Sequence, residues 1–127
     1  MELTFEQPGE HLFVRSVSAA GVQIADRTLT GALILSATEL VADWAVAGMD
    51  ELDERRLEPV FALRPEVVLL GTGARQVFPS PELLMCFHRR GIGIEVMATA
   101  AACRTFNVLV SERRKVVAAL LPPALSG

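Results

Sequence analysis

The run Val67-Val68-Leu69-Leu70, entered from Glu66 and stopped by Gly71, restricts the fold more than any other segment. Apolar residues at every position, rather than every second one, mark a strand covered on both faces. Such a strand belongs in a sheet with packed layers above and below it. Two more apolar strands follow, over 92–97 and 116–121, each reached through a segment of helical period. Ser80-Pro81-Glu82 opens the first helix with an N-cap serine and a proline at the first helical position, and Gly91 closes it. Thr99 is expected to cap the second helix, whose inner stripe is Ala102, Cys103, Phe106, Leu109 and Val110. Pro122-Pro123 ends the last strand.

The first half has a different period. Leu12 to Val17 alternates in steps of two, Ser18 to Gly21 supplies a turn, and Val22-Gln23-Ile24 returns as the second strand of a hairpin. Ala32 to Leu35 is a short strand, and Val41 to Val46, with Trp44 expected in the core, is another. The connections are too short for crossovers, so these strands should pair mostly antiparallel. Asp50 to Leu57 is dense in charge and is expected to be a helix, capped by Asp50 and ended or kinked by Pro59. The whole reads as a single α/β domain over residues 1–127 with an added N-terminal β layer.

Composition excludes several functions. With 51% hydrophobic residues, 21% charged residues and a formal net charge of −3, the chain is neither disordered nor a polyanion-wrapping protein, so no nucleic-acid partner is expected. No apolar run approaches the ~18 residues of a membrane span, so no membrane insertion is expected. The opening Met1 to Glu6 is acidic where a signal peptide is basic, which points to the cytoplasm. Cys86 and Cys103 form neither a disulfide framework nor a metal spacing, and both read as structural thiols. His11 and His88 are far apart in sequence and at no ligand or triad spacing. No metal, cofactor or catalytic residue is therefore assigned.

Two loops could carry chemistry. Gly71-Thr72-Gly73 follows a buried strand at its C-terminal end, where open α/β sheets place ligands, and reads either as a backbone nest for an anion or as a tight turn. It lacks the third glycine of a dinucleotide fingerprint, because Gln76 stands there. The helix beginning at Thr99 offers free N–H groups, with Arg104 close behind to complete an anion site or simply to be solvated. Glu95 and Asn107 are supporting candidates, although for Glu95 a place at a sheet edge or in a salt bridge to an arginine is the commoner outcome. Arg89-Arg90 and Arg113-Arg114-Lys115 follow helix C-termini, where cations offset the dipole.

Val67-Val68-Leu69-Leu70-Gly71-Thr72-Gly73, then Arg90-Gly91-Ile92-Gly93-Ile94-Glu95-Val96-Met97, then Thr99 with Ala102-Cys103 and Thr105-Phe106-Asn107, and lastly Ala118-Ala119-Leu120-Leu121-Pro122, come in a distinctive order. In that order the chain resembles the adipogenesis-associated Mth-domain family from about Ile24 to Leu121. That family includes a mitochondrial respiratory complex I assembly factor and many bacterial proteins of unknown function. The resemblance implies a three-layer α/β domain with a central mixed five-stranded sheet, flanking helices and an extra β layer. It implies no established catalysis. Family members often carry Asp where Ala98 stands, and Arg104 is not a fixture of the family, which weakens any shared acid–base pair. The favoured reading is a non-enzymatic binding or assembly module with a protein partner. The alternative is an enzyme or a binding protein for a small anionic metabolite, held at Gly71, Thr72, Gly73, Thr99 and Arg104.

Overall fold

A computed structural model of the chain describes residues 11–125, and the acidic opening over 1–6 lies outside them. Strands β1 (Val14–Ser18), β2 (Gly21–Ile24) and β3 (Arg27–Leu29) form an antiparallel three-stranded sheet. Then come β4 (Leu33–Leu35), β5 (Leu40–Val41), α1 (Glu58–Phe61), β6 (Val67–Gly71), α2 (Pro81–Arg89), β7 (Gly93–Met97), α3 (Thr99–Ser111) and β8 (Val116–Leu120). The second sheet is mixed and five-stranded, in the order β5-β4-β8-β6-β7. β6 runs parallel to both its neighbours, whereas β4 meets β8 antiparallel, so the last strand in sequence sits at the centre.

Both faces of this sheet are covered, as the apolar run of β6 requires. Val68, Leu70, Val117 and Ala119 point to one side, against Trp44, Leu57, Val60, Leu83 and Phe87. Leu69, Ala118 and Leu120 point to the other, where they meet Ala102, Cys103 and Phe106 of α3 and Val22 and Ile24 of the hairpin layer. Phe87 and Phe106, one on each side, have no exposed surface. This is the expected three-layer architecture, with the β layer packed beside α3.

Four local expectations need correction. The strand foreseen over 41–46 stops at Val41, because β4 offers only three residues to pair with. Trp44 and Val46 still alternate inward, and Trp44 N–H reaches the Ala32 carbonyl at 3.3 Å. The helix foreseen over 50–57 is a short 3₁₀ turn, Met49–Glu51, followed by irregular turns. There the carboxylates bind nearby backbone instead: Glu51 accepts from Ala47 N–H and Asp53 from Arg56 N–H, each at 2.8 Å, which competes with helix formation. Pro59 lies in the first turn of α1, where its missing N–H costs nothing, and so helps to start a helix rather than end one. Thr99 is the first residue of α3 and not its cap; Ala98 holds that position without a side-chain bond. The Ser80 cap holds as expected, accepting from Leu83 N–H at 3.2 Å.

Candidate functional site

The parallel pairing of β6 with β7 brings Gly71-Thr72-Gly73 and the start of α3 to the same sheet edge, as the topology requires. There the two loops bond to each other and to the segment after β8. Thr72 N–H donates to Met97 C=O at 2.9 Å, and Ala74 N–H donates to Leu125 C=O at 2.8 Å. Gly73 N–H donates to Thr99 Oγ1 at 2.9 Å, and that hydroxyl donates onward to Leu121 C=O at 2.8 Å. Thr99 N–H returns to Gly73 C=O at 2.9 Å. The Thr72 hydroxyl donates to Arg75 C=O at 2.6 Å and accepts from Val77 N–H at 3.0 Å. Thr72 and Thr99 are the buried polar residues of the described chain, and every buried side-chain N or O atom there has a partner.

The glycines serve this closure. A Cβ on Gly71 would sit 2.8 Å from Leu120 Cδ2 and 3.0 Å from Thr99 Cα. Gly73 has φ +108°, and a Cβ there would fall 2.5 Å from Leu125 C=O. Both positions exclude a side chain because the protein's own backbone and side chains already lie there.

The other candidates do not join the junction. Arg104 is exposed and lies about 200° around α3 from the core-facing Phe106, at 100° per residue. Glu95 is exposed on β7, the edge strand. Asn107 is a clamp between layers: its Oδ1 accepts from Val14 N–H and its Nδ2 donates to Val14 C=O, both at 2.8 Å. In this way a side-chain amide stands in for a neighbouring strand, next to the irregularity where β1 slips register between Val14 and Ser16. Burial in α3 pushes the Cys103 thiol up to about 12, against a smaller lowering by Arg104, so it stays protonated and unreactive at neutral pH. Among the described residues no three His, Cys, Asp or Glu side chains gather as a metal site.

Elsewhere the surface is more open. Phe78 is 73% exposed, and with Met49, Asp50, Leu52, Pro79, Ser80 and Leu83 it borders a cleft of about 310 Å³. The sequence reading missed Phe78, since a lone aromatic beside a loop proline carries no periodic signal. Two arginines after the helices pair with acids: Arg90 lies 2.7 Å from Glu54 and stacks on the Phe61 ring, and Arg114 lies 3.5 Å from Glu66.

A family model described as "Protein of unknown function (DUF498/DUF598)" matches residues 14–121. The chain belongs to that family. The "NADH dehydrogenase (ubiquinone) 1 alpha subcomplex assembly factor 3" of Xenopus tropicalis is 34% identical over 118 residues, covering 91% of this chain and 64% of that protein. The chain thus spans just under two thirds of that curated relative. The solution structure of a Xanthomonas campestris protein superposes with a TM-score of 0.84 at 39% identity, covering 100% of this chain and 96% of that one. A Bordetella pertussis protein described as a Mth938-like domain superposes with a TM-score of 0.79 at 28% identity, covering 99% and 95%. DUF498/DUF598 membership agrees with the Mth-domain resemblance and with the mixed sheet. No described helix is long and apolar enough to cross a membrane.

Proposed function

We propose that this chain is a non-enzymatic protein-binding module of the assembly-factor kind, acting in the cytoplasm. One observation carries the reading. At the sheet edge where an α/β fold would hold a small ligand, the N–H groups of Thr72, Gly73, Ala74 and Thr99 all donate within the protein. Arg104, the cation an anion would need, is exposed to solvent. The assembly-factor relative supports a role exercised through contact with other proteins. The half of the surface bearing Phe78 is the natural contact face, because an exposed aromatic beside a cleft can anchor a partner.

The test is native-gel migration of the tagged chain in extracts of its own cell, with partly assembled respiratory complexes followed on the same gels. Co-migration with a sub-complex, lost in Phe78→Ala, is expected. Migration only as the free protein, together with unchanged complexes in a deletion strain, overturns the reading. In parallel, sulfate, phosphate and small carboxylates should leave the Gly73 and Thr99 amide resonances unmoved. Saturable shifts there would restore the anion site.

A further inference from the structure

We propose that the free edge of β7 pairs with the same edge of a second copy of this chain, antiparallel and two-fold symmetric about Ile94. β7 bonds to β6 through Gly93, Glu95 and Met97: Gly93 N–H donates to Glu66 C=O, and Met97 C=O accepts from Thr72 N–H. Alternation along a strand therefore turns the polar backbone groups of Ile94 and Val96, and the Ile92 carbonyl, outward. Two backbone groups at this edge already have partners. Ile92 N–H donates to Phe87 C=O at 3.0 Å, and Val96 C=O accepts from Gln76 Nε2 at 2.8 Å. Ile94 N–H, Ile94 C=O, Val96 N–H and Ile92 C=O have no partner among the described residues.

A two-fold axis through Ile94 matches that remainder completely. Ile94 N–H meets Ile94 C=O of the copy, in both directions. Val96 N–H meets Ile92 C=O of the copy, again twice. The bond this register would otherwise demand, from Ile92 N–H to Val96 C=O, falls on the two groups already occupied, so the exposed Gln76 side chain must leave the Val96 carbonyl for the copy to close on that end of the strand. An axis through Glu95 fails on both counts. It would aim Ile94 N–H at the occupied Val96 carbonyl, and it would set two Glu95 carboxylates opposite each other, where like charges repel. The Ile94 axis places each Glu95 opposite Gly93, which carries no side chain.

The flanks suit the same occupant. The two helices packed against β7 each leave one large apolar side chain exposed, Met85 of α2 at 48% and Val108 of α3 at 55%. Val108 lies nearly one turn beyond Thr105, whose hydroxyl reaches Met97 Sδ at 3.5 Å. A strand added at this edge extends the sheet beneath one helix and above the other.

Charge at position 93 tests the register. A Cβ on Gly93 meets nothing closer than Glu66 C=O at 3.5 Å, so the monomer accepts a side chain. Sedimentation of the wild-type chain across micromolar to millimolar concentrations should show a reversible monomer–dimer equilibrium. Gly93→Lys, facing Glu95 of the copy twice, should tighten it roughly two- to thirtyfold, and Gly93→Glu should weaken it by a similar factor. In the wild type, exchange of the Ile94 and Val96 amides should slow as concentration rises. A chain that stays monomeric at millimolar concentration, Lys and Glu variants that move the equilibrium the same way, or amides indifferent to concentration would each overturn the proposal. The amide measurement stands even if a variant folds poorly, and none of these outcomes bears on co-migration with respiratory sub-complexes.

Discussion

Replacing Thr99 with valine keeps the side chain's shape and removes its hydroxyl. In the native protein that hydroxyl is fully buried, accepts from Gly73 N–H and donates to Leu121 C=O. The variant therefore leaves two buried backbone groups without partners, each costing about 1–3 kcal/mol. Carbonyls tolerate this better than N–H groups, so the expected loss is about 2–4 kcal/mol rather than the full sum. Thr99→Ser keeps both hydrogen bonds and gives up one methyl group, about 1 kcal/mol. In urea melts followed by circular dichroism, one cooperative transition is expected, with the valine midpoint lowered by roughly 1–2 M. A valine variant as stable as the serine variant would refute the claim that this hydroxyl holds the sheet edge together. If Thr99 instead served a ligand, the valine variant would keep its stability and lose only a ligand response.

Asn107→Leu should cost about 1–3 kcal/mol by breaking both bonds to Val14, and limited proteolysis should then cut first within the hairpin layer. A hairpin no more sensitive than in the wild type would show that the clamp is dispensable. The Glu66 carboxylate accepts from Lys115 N–H and lies beside Arg114, and these hold it below its usual value of 4.5. Its contribution to stability is therefore complete above that value and disappears as pH falls through the lower folded-state value; NMR titration should find a midpoint under 4.5, and Glu66→Gln should flatten this part of the acid dependence. Cys103, raised to about 12, should resist iodoacetamide at pH 8 in the native chain and react promptly in urea; rapid native labelling would place it outside the core.

The parts of the fold that were legible in sequence are those where one residue type answers to one physical demand. An uninterrupted apolar run stopped by glycine is typical of a strand covered on both faces, and Ser80-Pro81 carries two start signals of a helix together. β3 escaped notice because the turn before it is made by Ala25 at φ +55°, a position where glycine or asparagine is the usual signal. For the same reason Gly91 announced a helix end, while Arg64 and Arg113, also left-handed and each following a helix, did not. Sequence topology foretold that Gly71-Thr72-Gly73 and Thr99 meet. It could not foretell that they bond to each other, since that depends on Leu121 and Leu125 returning beside them from the far end of the chain.

The placement of β8 has a consequence for synthesis. Its neighbours, β4 and β6, do not touch each other in the sheet; each pairs with Val116–Leu120. Without residues 116–120, β4 with β5 and β6 with β7 have no strand between them, and each pair would present an open inner edge. No amount of waiting can join them until residue 120 is free of the exit tunnel. A chain cut before that point lacks the central strand, and with it every hydrogen bond that joins the two halves of the sheet.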